Sequence, residues 1–228
     1  MPLANPAFSP TVAIWALVGA GIGLALSRLA DIFAARRQLV NSTAIPHRAF
    51  WLAIATAFLF GLAGWRFGLS LRGLMDCVYI SVLLLLAVTD LEHRLIPNLI
   101  ILPAILLALA AGFGADWMTW QAALVGGAIG LLFFGVAYAL ANVLYPGKTG
   151  LGMGDVTLAT FIGLAVGFPS AMTAIVLGIL LGGLVSALLL VTRRVTLQTA
   201  IPYGPFLILG GLIAMFWGPA IVRWYLRT

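Results

Sequence analysis

Six carboxylates are spread over 228 residues: Asp31, Asp76, Asp90, Glu92, Asp116 and Asp155. Asp31 and Asp116 fall in loops or at the ends of apolar runs, where solvation accounts for them. Asp76 follows Arg72 by four residues, the spacing of an ion pair on one helix face. Asp90 and Asp155 differ, because each abuts a long apolar run with no chain neighbour that fully accounts for it. Asp90, in VTDLEHRLIPN, closes such a run. A carboxylate there faces the negative end of the helix dipole, which disfavours its ionised form, while His93 and Arg94 can offset the effect. Asp155, in GLGMGD, stands directly before VTLATFIGLAV. Each also has a plain alternative: an interface residue paired with Arg94 for Asp90, and a helix N-cap for Asp155. An N-cap does not need glycines at 150, 152 and 154 as well. Glycine lets another backbone, such as an extended peptide, approach closely.

The pair carries more chemistry than either member. Two carboxylates about 3 Å apart cannot both ionise, so such a pair shares one proton. The ionised member can act as general base on a water while the protonated member polarises a carbonyl. That combination hydrolyses peptide bonds with no metal and no cofactor. Rival chemistries lack their residues: the chain has no GxSxG and no HExxH. His47 and His93 lie in different loops, without metal-ligand spacing. Cys77 is the single cysteine, which excludes an intrachain disulfide and a zinc pair and reads as a buried small hydrophobe.

The elements that must position these acids are set by composition. The chain is 63% hydrophobic and 8% charged, against roughly a quarter charged in soluble domains. A water-facing surface cannot be built from so few charges. The expected fold is all-α, a polytopic transmembrane bundle of about eight spans, because runs such as VLGILLGGLVSALLLV are continuously apolar and not alternating as in a barrel. The runs lie near 11–30, 49–65, 73–89, 97–113, 120–144, 155–167, 170–191 and 202–217, with the sixth the shortest. The N-terminus has no basic segment, so the first run reads as a retained span. An even number of spans with the N-terminus outside puts eight basic residues (Arg28, Arg36, Arg37, Arg48, Arg94, Lys148, Arg193, Arg194) on the cytoplasmic side. Four (Arg66, Arg72, Arg223, Arg227) fall outside. The positive-inside rule favours that orientation, which places Asp90 and Asp155 at the cytoplasmic face. Basic residues between apolar runs speak for orientation, so no nucleic-acid partner is expected. The residues alone leave open a proton-coupled transporter.

DLEHRLIPN, from Asp90 to Asn98, resembles the first aspartate motif of the type IV prepilin peptidases, and GLGMGDVTLA resembles their GxGD motif. IPYGPFLILGG, from Ile201, resembles a late proline-rich segment of the same family. The likeness covers roughly residues 80 to 215. It implies a membrane aspartic endopeptidase that cleaves the basic leader of prepilins and pseudopilins at the cytoplasmic face of the inner membrane. Prepilin-like membrane proteins would be its substrates and the lipid bilayer its medium. By motif position Asp90 and Asp155 are the catalytic pair. Gly152 and Gly154 shape the loop beside Asp155, Pro97 and Asn98 fix a strand or turn after the first motif, and Pro202, Gly204 and Pro205 are structural or line the substrate path. The whole chain, 1–228, is expected to be a single membrane domain, with a peptidase-like core at roughly 70–228 and a reduced N-terminal span and loop at 1–69. Two departures stand out. Thr157 occupies a position that is usually lysine, and the loop from Arg36 to Arg48 lacks the cysteine-rich insert of many members. The methyltransferase activity of some members is associated with that reduced part and is not carried over. An inactive homologue serving in assembly is the other reading that Thr157 leaves standing.

Overall fold

The computed structural model describes residues 10–36, 45–144, 152–193 and 202–227. Among these, the chain forms eight α-helices and no strand, as expected: α1 Pro10–Arg36, α2 Arg48–Phe67, α3 Leu71–His93, α4 Asn98–Gly114, α5 Trp120–Leu144, α6 Met153–Val166, α7 Ser170–Val191 and α8 Gly204–Leu226. Six of them are long and apolar enough to cross a membrane, while α4 and α6 are shorter. Large apolar side chains such as Leu17, Phe58, Leu106, Leu184 and Val191 are exposed. In water that surface would be untenable; against lipid tails it is the expected one. The protein is a multi-pass integral membrane protein.

Three helix ends depart from the runs of apolar residues. α1 continues beyond Ala30 through Asp31 to Arg36, α3 continues beyond Thr89 to His93, and α8 continues beyond Trp217 to Leu226. In α1 and α3 the extension carries acidic residues that find cationic partners, so charge does not end the helix. Asp90 therefore lies inside the last turn of α3, not beyond it.

The helices cluster into two compact units, Met1–His93 and Arg94–Thr228. In the first, α1 and α2 pair along their lengths and α3 packs on both. In the second, α6 is packed on α4, α5, α7 and α8, and α7 pairs with α8. α6 is apolar nearly all round and correspondingly buried, through Val156, Leu158, Ala159, Phe161 and Ile162. Helices in lipid gain little from hydrophobic exclusion and pack through small residues that let backbones approach. Both units use this device. Gly19 and Gly23 of α1 face the Thr56 and Leu52 backbone of α2, and Gly126 and Gly130 of α5 face the carbonyls of Gly163 and Ala159 in α6. A Cβ at either α5 position would overlap a carbonyl oxygen.

Gly130→Leu is expected to force α5 off α6 and to lower the thermal unfolding midpoint in detergent. Leucine at lipid-facing Leu131, replaced by phenylalanine, serves as the control that leaves the midpoint unchanged.

Candidate active site

Asp90 sits three residues from the end of α3, 7% exposed, beside buried Thr89 and Glu92. A constellation that the sequence reading passed over anchors this turn. Glu92 Oε2 accepts from Arg48 Nη1 at 2.7 Å, and Glu92 Oε1 accepts from the Ile45 backbone N–H at 3.0 Å. Arg48 also donates to the Ser27 hydroxyl at 3.1 Å, to the Ser27 carbonyl at 3.0 Å and to the Asp31 carboxylate. One guanidinium thus joins α1, the start of α2 and the end of α3, using the planar fork that lysine lacks. The Arg48 and Glu92 side chains are 12% and 2% exposed. The Asp31 side chain is 57% exposed, so its pairing contributes only about 0–1 kcal/mol. Asp31 is thus largely solvated, as expected, with Arg48 as an added partner, and the role of Arg48 exceeds orientation. His93, expected as a solvated loop residue, is the last residue of α3; its side chain is 7% exposed, with Nε2 4.0 Å from Glu92 Oε2. The sequence signal for this cluster was faint: a second carboxylate two residues after Asp90, and a lone arginine opening an apolar run.

Arg72 and Asp76 do form the expected pair, at 3.9 Å, and Cys77 is buried.

After His93 the chain turns at Arg94, whose φ of 51° ends the helix. Residues 95–97 are non-helical and α4 begins at Asn98. Pro97 is the N-cap, and its carbonyl accepts from the N–H groups of Ile100 at 2.9 Å and Ile101 at 3.1 Å. The expected strand or turn is thus a short connector, and Pro97 precedes the helix instead of opening it. Asn98 is exposed.

Asp155 is the third residue of α6 and 8% exposed. It is not the N-cap. That position belongs to Gly152, which has no side chain to offer, and the Asp155 carboxylate reaches back to accept the Gly152 N–H at 3.0 Å. This is one half of a capping box. Thr157, in the position usually held by lysine, donates its hydroxyl to the Gly154 carbonyl at 2.9 Å. The glycines differ in kind. A Cβ on Gly154 would lie 3.0 Å from Ile96 Cβ, so a side chain there would press on the residue that precedes Pro97. A Cβ on Gly152 would meet nothing closer than 3.8 Å. Gly150 lies outside the described residues. At the start of α8, Pro202 is non-helical, Tyr203 is the N-cap and Gly204 is the buried first residue. The Tyr203 ring lies 5.6 Å from that of Phe134.

Among the described residues no group of three or more His, Cys, Asp or Glu side chains could hold a metal ion. What the two acidic segments offer is carboxylate chemistry. Asp90 belongs to the first unit and Asp155 to the second, each near-buried at a helix end.

The model of the type IV leader peptidase family matches residues 77–187. A prepilin leader peptidase/N-methyltransferase of Bacillus subtilis is 33% identical over 174 residues, which cover 76% of this chain and 68% of that protein. The chain belongs to the type IV leader peptidase family. Proteins of the same description from Pseudomonas aeruginosa and Xanthomonas campestris are 32% and 30% identical, over 81% and 76% of this chain and 63% and 60% of theirs. The chain thus spans about three fifths to two thirds of these relatives. No solved structure matches it. The family match takes in Asp90, Pro97, Asn98, Gly152, Gly154 and Asp155; Arg48, Asp31 and the Pro202–Gly204 segment fall outside it.

Two outcomes are expected in this member of the leader peptidase family. Arg48→Ala leaves Glu92 buried without its cation and destabilises the first unit by about 3 kcal/mol, read as a lower unfolding midpoint; Arg48→Lys recovers only part of it. Gly154→Val, pressed against Ile96, costs about 1–3 kcal/mol, whereas Gly152→Ala leaves the midpoint unchanged.

Proposed function

We propose that the protein is a membrane-embedded aspartic endopeptidase. It removes the leader of type IV prepilins or pseudopilins at the cytoplasmic face of the inner membrane, with Asp90 and Asp155 as its two catalytic carboxylates. The relatives it matches are named prepilin leader peptidase/N-methyltransferase, and the peptidase half of that description is the part we carry over. In this reading 1–228 works as one membrane domain.

The observation that carries the proposal joins the two motifs. Ile96, six residues after Asp90, packs on Gly154, the residue before Asp155. That contact makes the end of the segment that follows Asp90 part of the surroundings of the residue before Asp155. In the proposed reaction the pair holds one proton. The ionised carboxylate takes a proton from water, whose oxygen adds to the scissile carbonyl carbon. The protonated carboxylate hydrogen-bonds the carbonyl oxygen, the C–N bond breaks, and the leaving amine takes up a proton. No described residue crowds Gly152, which suits an extended peptide, and Pro202 and Gly204 shape its path at the start of α8.

The test is cleavage of a prepilin from the same organism by the purified full chain in proteoliposomes. Asp90→Asn and Asp155→Asn are each expected to lower kcat by a factor of at least about 10³ with insertion and unfolding midpoint retained, and the wild-type pH–rate profile is expected to be bell-shaped. Normal cleavage by either variant removes that aspartate from the mechanism. Proton-coupled uptake without proteolysis would make the protein a transporter, and a wild type inert in the assay but able to support pilus assembly would make it a scaffold.

A further inference from the structure

Tyr203 was not among the residues singled out from the sequence. Its ring is held by three helices of the second unit. It is the N-cap of α8, it packs against Phe134 of α5, and it lies over Gly182 of α7, where a Cβ would come within 3.1 Å of Cε2. The ring is thus fixed, yet its hydroxyl oxygen is buried and has no hydrogen-bond partner among the described residues. Buried phenols normally find a partner, and an orphaned one works against the resting fold.

The depth of this hydroxyl follows from helix register. Gly182 meets Tyr203 and Gly218 meets Ser170, so α8 runs antiparallel to α7. α7 in turn follows α6 after a short reversal, which leaves α6 and α8 parallel. They touch where Ile162 meets Gly211. Ile162 is seven residues beyond Asp155 and Gly211 eight beyond Tyr203. At a rise of about 1.5 Å per residue, Asp155 and Tyr203 stand at nearly the same level. Burial pushes the Tyr203 phenol up to about 12, with the charge of Asp155 adding to the effect, so the group is a neutral donor throughout the working pH range.

We propose that Tyr203 is a substrate-binding residue, whose O–H donates a hydrogen bond to a backbone carbonyl of the peptide held beside Asp155. In the resting enzyme this donor is buried with no acceptor among the described residues, and the arriving peptide supplies one. The proposal rests on the endopeptidase reading above.

Tyr203→Phe removes the oxygen and keeps the ring. With the full chain in proteoliposomes and the same prepilin, kcat/KM is expected to fall roughly tenfold, the worth of about one hydrogen bond. The unfolding midpoint should stay at or rise above that of wild type, since the lost group had no partner. Two results would overturn the proposal: kcat/KM within twofold of wild type while Asp155→Asn is inactive, or a loss of activity accompanied by a lower midpoint, which would mark the hydroxyl as part of the fold. If the wild type itself does not cleave prepilin, the endopeptidase reading fails and the role of Tyr203 falls with it.

Discussion

Lipid offers no water to a polar group, and most of the polar side chains within the helices answer to that constraint. The hydroxyls and amides within its helices turn back onto their own backbone: Thr56 to Leu52, Ser81 to Cys77, Asn142 to Tyr138 and Thr160 to Val156, each one turn away. Arg72 sits one turn from Asp76. Where a polar group cannot be satisfied so locally, the solution is tertiary, as with Arg48, which opens α2 and gathers acceptors from α1 and α3. Against that background the buried Tyr203 hydroxyl, without a partner among the described residues, calls for an explanation of its own.

The same constraint shapes the two candidate carboxylates. Each lies at a helix end, where polar backbone groups are available, and each is almost wholly buried. Their surroundings differ. Two residues beyond Asp90, the helix is tied down by Glu92, whose two oxygens hold both Arg48 and the backbone before α2. Asp155 is oriented by its own helix start, through the Gly152 N–H. The hydroxyl of Thr157 is occupied by the Gly154 carbonyl, so the residue that departs from the family pattern serves the helix backbone.

Family membership and the site draw on different parts of the chain. The family model matches residues 77–187, which contain both aspartates and the Ile96–Gly154 contact. Of the Arg48 cluster only Glu92 lies within that segment; Arg48, Ser27 and Asp31 lie upstream and Tyr203 downstream. The segment holds both candidate aspartates but neither Arg48, which ties down the turn bearing Asp90, nor Tyr203, which stands level with Asp155.

Much of the fold was legible in the sequence. Whether a run of residues can span a bilayer depends on its length and polarity, both local properties, so the number and order of the helices could be read directly, including the shortness of α6. The acids worth attention were legible for the same reason: a carboxylate abutting an apolar run is conspicuous wherever the chain later goes. Helix ends were less so, because the pairings that let α1 run past Asp31 and α3 past Asp90 join residues 17 and 44 positions apart. The two glycines flanking Met153 look alike in the sequence, yet one lies against Ile96 and the other is crowded by none of the described residues. Only the tertiary structure decided which polar groups meet, since hydrogen bonds and close packing reach a few ångströms in space and take no account of distance along the chain.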